Sequence, residues 1–590
     1  MTDTGQRISE QLLPWVRQPG QYIGCETNAC CGDVDAAEVS CVLGFPDAYS
    51  IGISHMGSQI LYRMLNDTPG VACDRTYCPR IDAEAVMRTN GVGLFGWESR
   101  RPVQSFDVLG FSLAYEVCAT NVLTMLDLAG IALHSSDRAG DDPIVIAGDA
   151  MADTPEPMAD FIDLFIVGDG EQPLAQLVEL IRQAKRSDAS REEILLQAAR
   201  TIPSVYVPRF YQPRYNPDGT LAGVDRSADV PATIHRAHLP SLSDSPAIAA
   251  PLVPLAEAIH DRVTIEIMRG CPNGCRFCQA GHTRLPVRWR SVEEILDIAR
   301  WAIAATGYRE ISLLSLSTSD YPHLDELIER LNTEFASRHI SVSLPSLRVD
   351  TQLQQLPKLT SGVRKGGLTI AAEAGTDRLR RSLRKNITED NMVAGVRAAY
   401  TAGWRKVKVY FMAGLPGESE SDIDAIYHLS NRLSWARKEV DNQKGAIGSS
   451  VSWFVPKPHT PMQWCAMRDE EYFWSVRNRL RDMSQRGPVS FRFHRIERSV
   501  LEGVLCRGDR RVGAAIEAAW RAGARMDSWD EHFDYDIWLG AFARAGIDPA
   551  FYAHREIPLD EVMPWSHIQA ARPTQFLLAE RQKMIEALAQ

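Results

Sequence analysis

The stretch RGCPNGCRFCQAG, residues 269–281, sets Cys271, Cys275 and Cys278 on an uneven four-then-three spacing among glycine, proline and one aromatic. It follows directly on VTIEIMRG (263–270), an alternating apolar run that reads as a strand. Iron–sulfur clusters are held by cysteine thiolates, and a [4Fe–4S] cube normally takes four. Three ligands from one tight loop leave one iron without a protein ligand, free to coordinate a substrate or cofactor. Zinc needs a fourth donor nearby, and His282 stands too close in sequence to Cys278 to serve. Asn273-Gly274 lets the backbone fold back on itself, and Phe277 offers an aromatic wall beside the last thiol.

Outward from this loop the chain alternates between short apolar runs and amphipathic stretches. After VTIEIMRG come EISLLSLST (310–318), SVSLPSL (341–347), GLTIAAEA (367–374), KVKVYFMAG (406–414) and SSVSWFVP (449–456), with helical patterns such as SVEEILDIARWAIAAT between them. Six β/α repeats fall short of the eight of a closed barrel, which predicts a partial (β/α)6 TIM-type barrel over 255–490, open at one side to a large substrate. The cysteine loop then lies at the strand C-termini, where barrel active sites form. A second alternating series, from VSCVLGFPDAYS (39–50) through PIVIAGD to QPLAQLVELIRQAKRS, predicts an α/β doubly wound domain over 36–190. Residues 1–35 read as an N-terminal extension and 191–254, rich in Pro, Ser and Asp, as a linker with one hairpin at NPDG. Residues 491–590 read as a mostly helical C-terminal extension.

With 590 residues the chain is too long for one core. The net charge of −11 argues against a general polyanion binder without excluding a local basic groove. The start, MTDTGQRISEQLLPWVRQPG, lacks a basic segment followed by an apolar core, and no window approaches 18 uninterrupted apolar residues. The expectation is a cytoplasmic protein without a membrane segment, in which clustered thiols act as metal ligands before they act as disulfides.

The Cys-x3-Cys-x2-Cys spacing after a barrel's first strand, with an aromatic beside the last cysteine, resembles the radical S-adenosylmethionine (SAM) superfamily. The resemblance implies that the open iron chelates the amino and carboxylate groups of S-adenosylmethionine. Reductive cleavage, fed by an electron donor of flavodoxin or ferredoxin type, then yields a 5′-deoxyadenosyl radical. It also implies cofactor contacts at Phe277, at Glu373 for the ribose hydroxyls, and at Gly414, Pro416 and Gly417 of FMAGLPGES beside the adenine. Ser317 and Asp320 stand where many relatives carry a Gly-Gly-Glu stretch. Arg348 is either a partner for the methionyl carboxylate or an ordinary ion-pairing residue.

PIVIAGDAMADTPEPMADFIDLFIVGDGE resembles the closing half of the cobalamin-binding Rossmann domain fused ahead of many radical enzymes, with Gly148, Gly168, Gly170 and Glu171 at the turns. The domain order, the PVRWRS run, FVPKPHTPMQW (454–464) and Arg507-Gly508-Asp509-Arg510-Arg511 resemble one group of such proteins, for which no settled substrate is implied. The Asp-x-His-x-x-Gly signature of cobalt-ligating histidine is absent. His55 in ISHMG reads as a helix N-terminal residue rather than an axial ligand, and a cofactor-free scaffold competes with cobalamin binding.

Cys25, Cys30, Cys31 and Cys41 are either a zinc or second-cluster set or buried thiols. Lys457 and His459 either touch substrate or brace a loop. The basic run 492–498 with Arg507, Arg510 and Arg511 either receives a phosphate-bearing partner such as RNA or pairs internally. The favoured function is cobalamin-assisted methyl transfer, or a related radical change, at an unactivated carbon of a small molecule or RNA. Modification of tRNA or rRNA, as in the methylthiotransferases, and a non-catalytic cofactor sensor are the alternatives. No catalytic residue is legible.

Overall fold

The computed structural model describes residues 3–343, 368–485 and 487–589. Five buried strands, β1 (Val39–Phe45), β2 (Val71–Tyr77), β3 (Val108–Ser112), β4 (Ile144–Gly148) and β5 (Leu164–Ile166), form a parallel sheet in the order 2-1-3-4-5. All seven residues of β1 and of β2 are buried, as helices on both faces require. This order has its switch point between β1 and β3, where the connections leave in opposite directions and a crevice opens at the strand C-termini. β2 and the helix Ile81–Asn90 carry too mixed a pattern (VACDRTY) to stand out in sequence.

Residues 191–254, expected as a linker, carry the helix Arg191–Thr201 and β6 (Val205–Tyr206), which pairs antiparallel with β5 and ends the first sheet. The hairpin expected at NPDG is present, as β7 (Tyr211–Tyr215) and β8 (Leu221–Arg226), and β9 (Ile234–His235) follows. Proline and serine there mark turns between short elements, not a free tether.

The second unit opens with β10 (Val263–Glu266) and the antiparallel pair β11 (Met268–Arg269) and β12 (Arg288–Trp289). β13 (Glu310–Leu314) and β14 (Ser341–Ser343) continue parallel to β10. β15 (Leu368–Glu373), β16 (Lys406–Ala413), β17 (Ala446–Trp453) and β18 (Val489–Phe493) form a second parallel set. β18 is a seventh β/α-type strand among the described residues, where six were expected. Its sequence VSFRF alternates cleanly, but its last two residues fall in the basic run 492–498.

The last hundred residues are helical as expected, yet they are wedged between the two units. Trp520 donates to Thr124 Oγ1 (3.0 Å), Asp527 accepts from Thr120 (2.7 Å), and Trp529 donates to Asp47 (2.8 Å). β19 (Ile568–Gln569) pairs with β9. The RGDRR run is spent internally: Arg507 donates to the carbonyls of Ala553 and Arg555, Arg510 pairs with buried Glu156 at 3.0 Å, and Arg511 pairs with Asp509. Arg498 pairs with Asp530. This corrects the phosphate-partner reading for these arginines, because their donors already face carboxylates and carbonyls. No helix among the described residues is long and apolar enough to cross a membrane.

Arg510→Ala would strand the Glu156 carboxylate in the core beside Tyr206 and His567. We expect a loss of about 3–5 kcal/mol, read as a lower denaturation midpoint, with Arg186→Ala at the surface as a near-neutral control.

Candidate functional site

The short hairpin β11–β12 pinches the base of the cysteine loop. Gly270 follows with φ +93°, and a Cβ there would lie 2.5 Å from the Arg284 carbonyl oxygen, so the loop closes only around glycine. The Cys278 N–H donates to the Cys275 carbonyl and the Gly281 N–H to the Cys278 carbonyl, both at 3.1 Å, winding the segment into the short helix Ala280–Thr283. Fully buried His282 braces the loop from behind, its Nε2–H donating to the Cys275 carbonyl at 3.1 Å. Burial lowers its pKa to about 4, so the ring is neutral there, with Nε2 engaged by the loop carbonyl.

The three thiols are partly exposed, and burial pushes those of Cys275 and Cys278 upward. No three His, Cys, Asp or Glu side chains among the described residues converge on a single ion. Three cysteine thiols on one short loop fit a [4Fe–4S] cluster that keeps one iron free of a protein ligand. Cys25 is exposed, Cys30 and Cys31 are partly exposed, and Cys41 is buried within β1.

Around the loop stand most of the residues expected from sequence. Asn273 Nδ2 donates to Asp320 at 2.7 Å and lies 3.4 Å from both Ser317 Oγ and Cys271 Sγ, while Ser317 donates to Asp320 at 2.6 Å. Ser317 and Asp320 therefore hold the loop through Asn273. Glu373, at a bulge in β15 with φ +68°, pairs with Lys385 at 3.1 Å, and both charges act on the Cys275 and Cys278 thiols. Phe277 packs with Leu415, Met462 and Met584. The turn after β16 has Gly414 at φ +90°, where a Cβ would come within 2.6 Å of Phe473; half-buried Pro416 and exposed Gly417 complete it. The Gly414 N–H and the Tyr472 hydroxyl both donate to Glu418, at 2.7 and 2.5 Å. Arg348 lies outside the described residues.

A cavity of about 610 Å³ separates the two units. On one side it is walled by the switch-point edge of the first sheet, including Gly110, Ser112, Gly148, Gly168, Gly170 and Glu171, and by His55. On the other it reaches Thr264, Glu266, Ser312 and Leu314 of the barrel interior. Glycines and branched apolar side chains leave a broad, smooth wall there, which fits a flat macrocycle. The rim is an ionic clamp between units. Arg269 pairs with Glu171 at 2.9 Å and Asp169 at 3.3 Å, Arg288 pairs with Asp169, and Arg284 pairs with Asp149 at 2.6 Å. Burial alone would raise the Asp149 carboxyl, but the His55 hydrogen bond and the Arg284 charge hold it well below the usual range. His55 caps the helix Met56–Asn66 as expected: Nδ1 accepts from the Ser58 N–H, and Nε2 faces Asp149 at 3.3 Å.

Lys457 is held by Glu116 and Glu502 at 2.7 and 2.8 Å, and His459 bonds the Asp153 carbonyl at 2.7 Å. They brace the units against each other, and the substrate-contact reading falls. Sequence reasoning missed Arg269, Arg284, Arg288, Asn273, Lys385, Glu418 and Glu580. The last, on the C-terminal helix Thr574–Ala589, pairs with Arg276 of the cysteine loop at 3.2 Å. The three clamp arginines had a signal, namely the basic run flanking the cysteines opposite two Gly-Asp turns; Glu580 had none.

Residues 57–208 match the family described as radical SAM proteins, N-terminal, and residues 265–430 the radical SAM superfamily. An uncharacterized protein of Methanocaldococcus jannaschii is 24% identical over 466 residues, covering 78% of this chain and 91% of its own. A tRNA-2-methylthio-N(6)-dimethylallyladenosine synthase of Sorangium cellulosum is 28% identical over 220 residues, 33% of this chain and 42% of that one. The radical S-adenosylmethionine methyltransferase TsrM from Kitasatospora setae, solved with cobalamin and a [4Fe-4S] cluster bound, shares the fold, with a TM-score of 0.50 at 14% identity over 93% of this chain and 99% of that one. With the two family matches together spanning more than half of its length, the chain belongs to the radical SAM superfamily.

Proposed function

We propose that this radical SAM enzyme carries out cobalamin-assisted methyl transfer, or a related radical change, at an unactivated carbon. The observation that carries the reading is the three-thiol loop set at the mouth of a barrel whose interior shares one cavity with the switch-point edge of a doubly wound sheet. When bound, the cluster with S-adenosylmethionine supplies a hydrogen-abstracting radical, and cobalamin supplies a transferable methyl group.

The chain's own residues hold, orient and exclude water. Cys271, Cys275 and Cys278 would hold three irons. Glu373 and the backbone of Gly414 to Gly417 would receive the nucleoside, the turn being held in shape by Glu418. Phe277 and the C-terminal helix close the outer side, where Met584 and Phe277 share one apolar group and Glu580 fixes Arg276. In the cavity, Gly148, Gly168, Gly170 and Glu171 would meet the macrocycle. His55 is turned to Asp149 and Ser58, so it is not offered as an axial ligand. An electron donor of flavodoxin or ferredoxin type would reduce the cluster.

Three outcomes test this. Cys275→Ala should abolish the cluster's visible absorbance and all 5′-deoxyadenosine release from S-adenosylmethionine; persistence of both would end the assignment. Titration with hydroxocobalamin should shift its absorption bands, and no shift would remove cobalamin from the reading. Anaerobic iron analysis should give about four iron atoms per chain; about eight would instead favour a methylthiotransferase-like enzyme and bring back Cys25, Cys30 and Cys31.

Glu418 adds a pH dependence. Burial raises its pKa from 4.5 to about 7 despite two hydrogen bonds. A folded pKa above the unfolded one gives a contribution fully present below about pH 4.5 and lost as pH rises through 7. Glu418→Gln should therefore gain on the wild type between pH 5 and pH 8 by on the order of 1–3 kcal/mol, measured as the change in their difference in denaturation midpoint.

A further inference from the structure

Alternate residues of β16, β17 and β18 divide into a buried row that packs on the outer helices and an exposed row on the opposite face. In a β/α barrel the helices lie outside, so the exposed row faces the interior. It carries Lys406, Lys408 and Tyr410 on β16, Gly448 and Ser450 on β17, and Ser490 and Arg492 on β18. Not one carboxylate stands on the interior row of these three strands, in a chain whose net charge is −11. Elsewhere the structure pairs its arginines freely, Arg479 on the outer side of the same sheet bridging Glu420 and Asp424. Lys408 and Arg492, by contrast, have no hydrogen bond or ion pair among the described residues.

The register places these cations around one gap. Lys408 stands beside Gly448, which stands beside Ser490, and the next interior row up is Tyr410, Ser450, Arg492. A Cβ at Gly448 would sit 4.0 Å from both Lys408 Cγ and Ser490 Oγ, so both neighbours flank the space that glycine leaves open. Strand spacing and rise put the Lys408 and Arg492 Cα atoms about 12 Å apart, a span their side chains can close on one group. The gap lies about 13 Å below Met412 along the strand, and Met412 is part of the apolar cluster that includes Phe277.

We propose that the interior face of β16–β18 binds an anionic group of the substrate, a carboxylate or a phosphate. Lys408 and Arg492 supply the charge, Ser450 and the Tyr410 hydroxyl supply hydrogen bonds, and the reacting carbon is held toward the cysteine loop. The proposal rests on the radical enzyme reading above.

The test is calorimetric titration of the anaerobically reconstituted full chain with inorganic pyrophosphate and, separately, with succinate. At least one should bind at one per chain; pyrophosphate alone identifies a phosphate site, and succinate alone a carboxylate site. The Lys408→Ala/Arg492→Ala double variant should weaken binding at least tenfold, Lys408→Arg should retain it, and Arg186→Ala should leave it unchanged. Both residues are exposed, so the double variant should keep the wild-type cluster absorbance, which reports folding independently of the titration. No binding of either anion, or equal binding by the double variant, overturns the proposal. A wild-type chain that takes up no cluster would overturn the proposed function instead, and the titration would still be read on its own.

Discussion

Two surfaces that must face each other here are both rimmed with charge, and the arrangement depends on those charges matching. The strand ends of the first sheet present Asp149, Asp169 and Glu171; the segments flanking the cysteine loop present Arg269, Arg284 and Arg288. Carboxylates taken out of water without a partner are costly, and a buried pair broken from one side loses several kcal/mol. The clamp therefore favours one relative placement of the two units more than it adds net stability. The hairpin that contributes Arg269 and Arg288 is also the base of the cysteine loop, so the placement of the loop and of the cavity is a single event.

The C-terminal helices complete this geometry from outside. They reach the first unit through Asp47, Thr120 and Glu156, and the cysteine loop through Glu580 and Arg276. Glu580 reaches the cysteine loop from about three hundred residues downstream. The GDR and KPH runs, which look like ligand contacts in a linear reading, turn out to be struts between units because their side chains are already satisfied.

What could be read in advance was local. Spacing of three thiols within eight residues, period-two and period-3.6 apolar patterns, and glycine at strand ends are each decided by neighbours along the chain. On these grounds the three-thiol loop, most barrel strands and the hairpin at NPDG were legible. β2, with its mixed composition, and β6 and β18, with their shortness, were not, because such strands take their identity from the strand beside them.

The chain's order of residues alone settled which chemistry is available: a loop that can hold a cluster with one unligated iron, placed after a strand of an incomplete barrel. Tertiary structure alone decided what surrounds that loop. Whether an arginine binds a ligand or a neighbour, whether Lys457 meets a substrate or Glu116, and which cations on the barrel's inner face stay unpaired all depend on where distant carboxylates arrive. A side chain's charge is written in the sequence, but its partner is chosen by folding.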